Sequence, residues 1–247
     1  MSLFVGEERT VYMKLIVSDL DGTLLMRGEE RLNRTALAAV DYALSKDIVF
    51  AVASGRSYTE LKRIFKSRCD KIYFLPSDGA LCVYREETLF DSPIEEDFDS
   101  ADFAAHGKYV TYLKSEKLPL IREHMKSYGG HIMRIGSLSE KDGPIYKITD
   151  FSKEKREAKA SLSTVYKGLS MTEYVKKGTD KGEAVGKLAS MLNISKEDII
   201  AFGDGENDIC MFNAAASSFA VSAAPYKVKR AADKVCESFG TEIKKII

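Results

Sequence analysis

From Lys14 onward, short unbroken apolar runs alternate with stretches in which apolar residues return every three or four positions. Lys-Leu-Ile-Val-Ser at 14–18 is apolar without alternation, which predicts a strand covered on both faces, as in a parallel sheet. Asn33 precedes a stretch to residue 46 in which Leu37, Val40 and Leu44 share one helical face, so a helix capped by Asn33 is predicted there. Residues 48–53 predict a second buried strand. Ser57 and Glu60 have capping-box spacing ahead of a helix carrying Leu61, Ile64 and Phe65, and 72–75 predict a third strand. Strand–helix repetition of this kind implies right-handed crossovers in an α/β layer architecture.

The pattern changes after Pro76. Ser77-Asp78-Gly79 is a turn, and 81–84 with 88–90 resemble a hairpin, so a second domain is expected to begin here. Between 82 and 177 the pattern predicts strands near 109–113, 131–135, 145–149 and 171–175, with helices near 117–128 and 152–165. Pro119 fits the first turn of the former. The first pattern then resumes: Asp180 and Glu183 cap a helix running to Leu192, and 198–202 and 219–221 are apolar strands. The fold class expected is therefore α/β, a doubly wound parallel-sheet core made of 13–81 and 178–247, interrupted by an inserted α+β domain over 82–177. Residues before Met13 read as a leader or an alternative start.

Composition narrows the function. Lys+Arg total 37 and Asp+Glu total 37 over 247 residues, so no overall basic field exists to hold nucleic acid. Hydrophobic residues make up 45 % and charged residues 30 %, a globular balance rather than a disordered one. No apolar run approaches the roughly 20 residues a membrane helix needs, and no hydrophobic leader segment precedes Met13. Neither a membrane partner nor a secretory route is expected. Cys69, Cys82, Cys210 and Cys236 show no CxxC or metal-finger spacing, which points to buried thiols in a reducing compartment, hence the cytoplasm. His106, His124 and His131 lie in the insert with no motif around them and are read as surface or packing residues.

The chemistry gathers at strand ends. Asp19 and Asp21 follow the first strand, where open parallel sheets place their ligand crevices. Asp204 and Asp208 follow 199–202, at the equivalent edge of the same sheet. Carboxylates converging there repel one another unless a cation or protons intervene. Oxygen-only donors favour Mg²⁺, which keeps waters and engages substrate phosphate. Ser54-Gly55-Arg56 follows the second strand and offers a hydroxyl, backbone N–H groups and a helix N-terminus to an anion. Lys181 stands in the first turn of its helix, against the helix dipole, and so requires an anionic partner.

Asp19-Leu20-Asp21-Gly22-Thr23, Ser54-Gly55-Arg56, Lys181-Gly182 and Gly203-Asp204-Gly205-Glu206-Asn207-Asp208, in that order, resemble the four motifs of the haloacid dehalogenase-like hydrolases, in particular the Cof-type sugar-phosphatase branch with a type IIB cap. The resemblance implies a cytoplasmic Mg²⁺-dependent phosphatase of small phosphorylated metabolites, sugar phosphates above all. Asp19 would be the nucleophile, giving an aspartyl phosphate, and Asp21 the general acid and base, a task needing a carboxyl whose pKa is raised by its surroundings. Asp19, the Asp21 backbone carbonyl, Asp204 and Asp208 would hold Mg²⁺. Gly22, Ser54, Gly55, Arg56, Lys181 and Asn207 would bind substrate, with Ser54 and Lys181 also part of the catalytic set. Two departures stand out: Asp78 occupies a position where the family commonly has Asn, and Asp180 one where it has a small or hydroxyl residue. A phosphotransferase or mutase would use the same residues, and a non-catalytic phosphate sensor would lack a need for Asp21. Arg122, Arg134 and Lys147 are bases of the insert within possible reach of a leaving group, but none is assigned to specificity, and oligomeric state is left open.

Overall fold

The computed structural model describes residues 14–46, 48–115, 121, 130–152 and 159–247. In chain order these form β1 (Lys14–Ser18), α1 (Arg34–Leu44), β2 (Ile48–Ala53), α2 (Tyr58–Phe65), β3 (Tyr73–Leu75), β4 (Leu81–Tyr84), β5 (Glu87–Asp91), β6 (Phe103–His106), β7 (Val110–Lys114), β8 (His131–Arg134), β9 (Lys147–Asp150), β10 (Leu162–Lys167), β11 (Thr172–Lys176), α3 (Lys181–Met191), β12 (Ile199–Gly203), α4 (Ile209–Ala214), β13 (Ser217–Val221), α5 (Tyr226–Ala231), β14 (Lys234–Cys236) and α6 (Phe239–Ile246).

Eight strands make the first sheet, in the order β14-β13-β12-β1-β2-β3-β4-β5. Its central ladders are parallel, with Ser18 opposite Val52 on one side and Phe202 on the other. From β1 the chain winds outward through β2 and β3 in one direction and, after the insert, through β12, β13 and β14 in the other. The winding reverses between β1 and β12, which is where such sheets open a crevice beyond their carboxyl ends. The unbroken apolar runs are explained by two-sided cover: Leu15, Ile16 and Val17 of β1 and Phe50, Ala51, Val52 and Ala53 of β2 are all fully buried. Asn33 caps α1 by accepting from the Ala36 N–H at 2.8 Å, and Ser57 and Glu60 form the reciprocal capping box of α2. On one face, Phe202 stacks on Phe219 at 4.9 Å and meets Phe239 edge-on at 5.0 Å, tying α6 to the centre of the sheet.

Two sequence expectations are corrected. The hairpin after Pro76 exists, but it extends the first sheet: Phe74 of β3 pairs antiparallel with Val83 of β4, and β4 with β5. The second sheet therefore starts well past residue 82. It holds six strands in the order β10-β11-β9-β6-β7-β8, antiparallel except for β7 with β8. The helix expected over 152–165 is overturned at its far end, where Leu162–Lys167 is a strand rich in β-branched and aromatic residues; residues 153–158 lie outside the described residues. So does nearly all of the helix expected at 117–128. Strand β6 was not anticipated, being four residues long with two alanines.

Because Phe239 is 1 % exposed and joins two ring contacts, Phe239→Ala is expected to lower unfolding free energy by about 3–5 kcal/mol. Lys245→Ala on the outer face of the same helix should leave it nearly unchanged. Urea titrations of both variants check the contrast.

Candidate active site

Sheet register brings the acids together. The Asp19 N–H donates to the Phe202 carbonyl at 2.9 Å, so the residue after β1 lies beside the end of β12 and the Asp204 that follows it. Asp19, Asp204 and Asp208 each place a carboxylate oxygen within 4.8 Å of the other two, and all three are buried. Gly22 makes this approach possible: its φ is +90°, and a Cβ there would lie 2.2 Å from Asp204 Oδ2. Glycine is needed twice at this position, for the left-handed backbone and for the absent side chain.

Lys181 answers the requirement raised by its place at the first turn of α3. Its ammonium donates to Asp19 Oδ1 at 2.6 Å and to Asp208 Oδ1 at 2.7 Å, at 1 % exposure. Asp208 Oδ2 accepts from the backbone N–H groups of Asp204 and Gly205, each at 2.9 Å, so both its oxygens are engaged and it orients the loop as well as the lysine. Burial would lower the Lys181 pKa, but Asp19, Asp208 and Asp78 more than offset it and hold the ammonium above its ordinary range. Burial first, and then the Asp208 charge, push the Asp19 carboxyl well above the usual carboxylate range despite Lys181. Burial also raises Asp204, against the pull of Arg27. The cluster thus holds more negative charge than its own cations comfortably neutralise. A hard divalent cation suits both that imbalance and the all-oxygen donor set.

Asp21 does not join the cluster through its side chain. Its carboxylate is 46 % exposed and receives two hydrogen bonds from Arg56, at 2.8 and 2.6 Å. The enclosed, poorly solvated carboxyl expected of a general acid is not what this conformation presents. Arg56 is correspondingly turned to Asp21, and its backbone N–H donates to Ser54 Oγ at 3.2 Å. Ser54 itself is buried beside the crevice, with its N–H committed to the Leu75 carbonyl. The α2 N-terminus proposed for an anion is already capped, because Glu60 Oε2 accepts from the Ser57 N–H and hydroxyl at 3.0 and 2.8 Å.

Asn207 reaches the same edge and donates from Nδ2 to Asp78 Oδ1 at 3.1 Å. Asp78 has φ +56° and lies between Ser77 at +52° and Gly79 at +89°, three left-handed residues in succession. The turn is pinned by Ser77 N–H to the Arg56 carbonyl and Asp78 N–H to the Ser54 carbonyl, both 2.9 Å. Gly55 packs against it, since a Cβ at 55 would stand 3.2 Å from Asp78 Oδ2.

Sequence reasoning missed two participants. Arg27 donates to Asp204 Oδ2 at 2.6 Å although its side chain is 72 % exposed. Glu173 on β11 accepts from Lys147 at 3.1 Å and from Thr149 at 3.2 Å. Of the three bases considered in the insert, Lys147 meets the first sheet by donating to the Gly55 carbonyl. Arg134 lies on a fully exposed strand, and Arg122 lies outside the described residues. Buried His106 packs within the second sheet, hydrogen-bonded to Thr111 and Thr149; His131 is exposed, and His124 lies outside the described residues.

A model of the haloacid dehalogenase-like hydrolase family matches residues 16–104 and 107–240. The chain belongs to this family. It is 23 % identical over 241 residues to the 5-amino-6-(5-phospho-D-ribitylamino)uracil phosphatase YbjI of Escherichia coli strain K12, covering 89 % of each chain. It is 28 % identical over 269 residues to phosphatase YwpJ of Bacillus subtilis strain 168, covering 90 % of this chain and 94 % of that one. A crystal structure from Eubacterium rectale superposes with a TM-score of 0.84 at 23 % identity, over 96 % of this chain and 100 % of that one. A sugar phosphatase of haloacid dehalogenase subclass IIB does so with 0.76 at 20 % identity, over 94 % and 97 %. The family and its named phosphatases make this hydrolase a phosphatase.

Two outcomes test the site. At pH 7, metal-free Asp19→Asn should melt above wild type. Ionised Asp19 opposes folding wherever pH exceeds its unfolded value of about 4, so the gap should widen as pH rises from there. Differential scanning calorimetry across pH 4–8 reads it, and a lower Tm for the variant at pH 7 contradicts it. Gly22→Ala, which drives a methyl into Asp204, should cut Mg²⁺ affinity by at least about tenfold in isothermal titration.

Proposed function

We propose that the chain is a cytoplasmic Mg²⁺-dependent phosphatase of small phosphorylated metabolites, sugar phosphates in particular, working through an aspartyl-phosphate intermediate. The observation that carries the reading is the convergence of Asp19, Asp204 and Asp208 on one crevice with Lys181 clamped among them. When bound by Asp19, Asp204 and the Asp21 backbone carbonyl, with Asp208 behind them, Mg²⁺ supplies charge neutralisation and polarises the phosphoryl group.

The residues divide the remaining work. An Asp19 oxygen attacks phosphorus in line with the leaving oxygen, forming an O–P bond as the ester O–P bond breaks. Asp21 delivers a proton to the departing oxygen and takes one back from the water that hydrolyses the acyl phosphate, regenerating Asp19 and releasing inorganic phosphate. For that, Arg56 releases Asp21, and the guanidinium so freed can meet phosphoryl oxygens. Ser54, the Asn207 amide and Lys181 bind those oxygens as charge shifts among them. Gly22 and Gly55 leave room for close approach. The second sheet lies over the crevice, where a cavity of about 250 Å³ is lined by Gly55, Asp78, Tyr166, Glu173 and Asn207. A leaving group of metabolite size fits there, and water exclusion strengthens the electrostatics beneath it. The names of the relatives support phosphorylated small molecules as substrates. The free state of all four cysteines agrees with a reducing compartment, and among the described residues no helix is long and apolar enough to cross a membrane.

Hydrolysis of an aryl phosphate should require Mg²⁺ and stop on chelation. Asp19→Asn should abolish turnover, and activity retained in that variant removes the nucleophile assignment. Asp21→Asn should slow the chemical steps by about 10²–10⁴-fold while Mg²⁺ binding, followed by calorimetry, persists.

A further inference from the structure

The cavity above the crevice carries an unusual charge balance for a site that receives phosphate esters. Asp78 comes from the turn of the first sheet and Glu173 from β11 of the second, with side-chain exposures of 6 % and 13 %. Between them stands one ammonium, Lys147, which is 3.1 Å from Glu173 and 3.7 Å from Asp78. Glu206 also lines the cavity, but it is exposed and paired with Lys227 at 2.5 Å, so solvent and its partner cancel most of its effect. Asp78 also feels the buried Lys181 ammonium, which stands outside the cavity lining, so at the cavity itself one buried and one largely buried carboxylate face the single ammonium of Lys147. A sugar hydroxyl or an amine donates to carboxylate oxygens that retain accepting capacity. A second phosphate or a carboxylate brought into the same space meets like charge at low dielectric, where repulsion is poorly screened.

Resting on the phosphatase reading above, we propose that this cavity selects phosphate monoesters whose leaving group is an uncharged polyol or carries an amine, and rejects those bearing a second anionic group, with Asp78 and Glu173 as the discriminating residues. The Asn207 hydrogen bond gives Asp78 a positioning task as well, and the two tasks separate by substitution. Asp78→Asn keeps the shape, suits the left-handed backbone, and retains an amide oxygen that can accept from Asn207, while the charge is lost. Glu173→Gln likewise removes the charge on the opposite wall while keeping an amide oxygen that can accept from Lys147 or Thr149.

The test compares kcat/KM for three esters of one size: a hexose 6-phosphate, its 2-amino-2-deoxy analogue, and the aldonate 6-phosphate in which C1 is a carboxylate. Wild type should prefer the first two over the aldonate by at least about tenfold, and each variant should shrink that ratio several-fold. A purely structural effect lowers all three substrates together and leaves the ratio intact, so an unchanged ratio in both variants overturns the proposal. So does a wild type that turns over the aldonate as well as the neutral ester. An aryl phosphate serves as control: if wild type hydrolyses it while the ratios stay flat, only the selectivity proposal falls. If wild type fails to hydrolyse it with Mg²⁺ present, the phosphatase reading falls and takes this one with it.

Discussion

One buried ammonium holds the crevice together. Lys181 begins a helix after the insert, Asp19 follows the first strand, and Asp208 follows β12, so its two short hydrogen bonds join three distant parts of the chain. Removing such charges from water costs several kcal/mol each, and only close partners offset it. The carboxylates in turn tolerate one another because that ammonium is there, and they remain short of full neutralisation. This shortfall makes the site receptive to a divalent ion and to a phosphoryl group while demanding rigid support from the sheet. The support is visible in the parallel register that sets Asp19 beside Phe202, and in the Asp208 carboxylate that gathers the N–H groups of the loop after β12.

Much of that core was readable beforehand, for definite reasons. Asp19 and Asp204 each follow an uninterrupted apolar run, and such runs mark central parallel strands whose ends must meet. Lys181 announced itself by standing where the helix dipole disfavours a cation. Arg27 and Glu173 gave no comparable sign, because each is one charge among many until the chain folds back on itself. Asp21 illustrates a different gap. Its motif position suggested a role, yet the environment that tunes a carboxyl is tertiary, and here it consists of Arg56 and solvent.

The insert was harder to read than the core. Its strands are short and mostly antiparallel, so neither length nor unbroken hydrophobicity set them apart. The charged stretch before β10 is rich in good helix formers, and their preference does not extend to Thr164 and Val165, which favour a pleated surface. The hairpin of β4 and β5 was recognised as a hairpin, but local sequence carries no statement of which sheet will accept it. Its pairing with β3 follows from the antiparallel contact of Phe74 with Val83, a single register choice.

Lys147 also ties the two sheets to each other. It is rooted in one sheet, while the carbonyl it grasps, that of Gly55, belongs to a loop of the other. Parting the two layers strips a nearly dry ammonium of that acceptor and of Asp78 while leaving Glu173, which travels with it. Any widening of the gap between the two sheets would therefore have to rehydrate that one side chain.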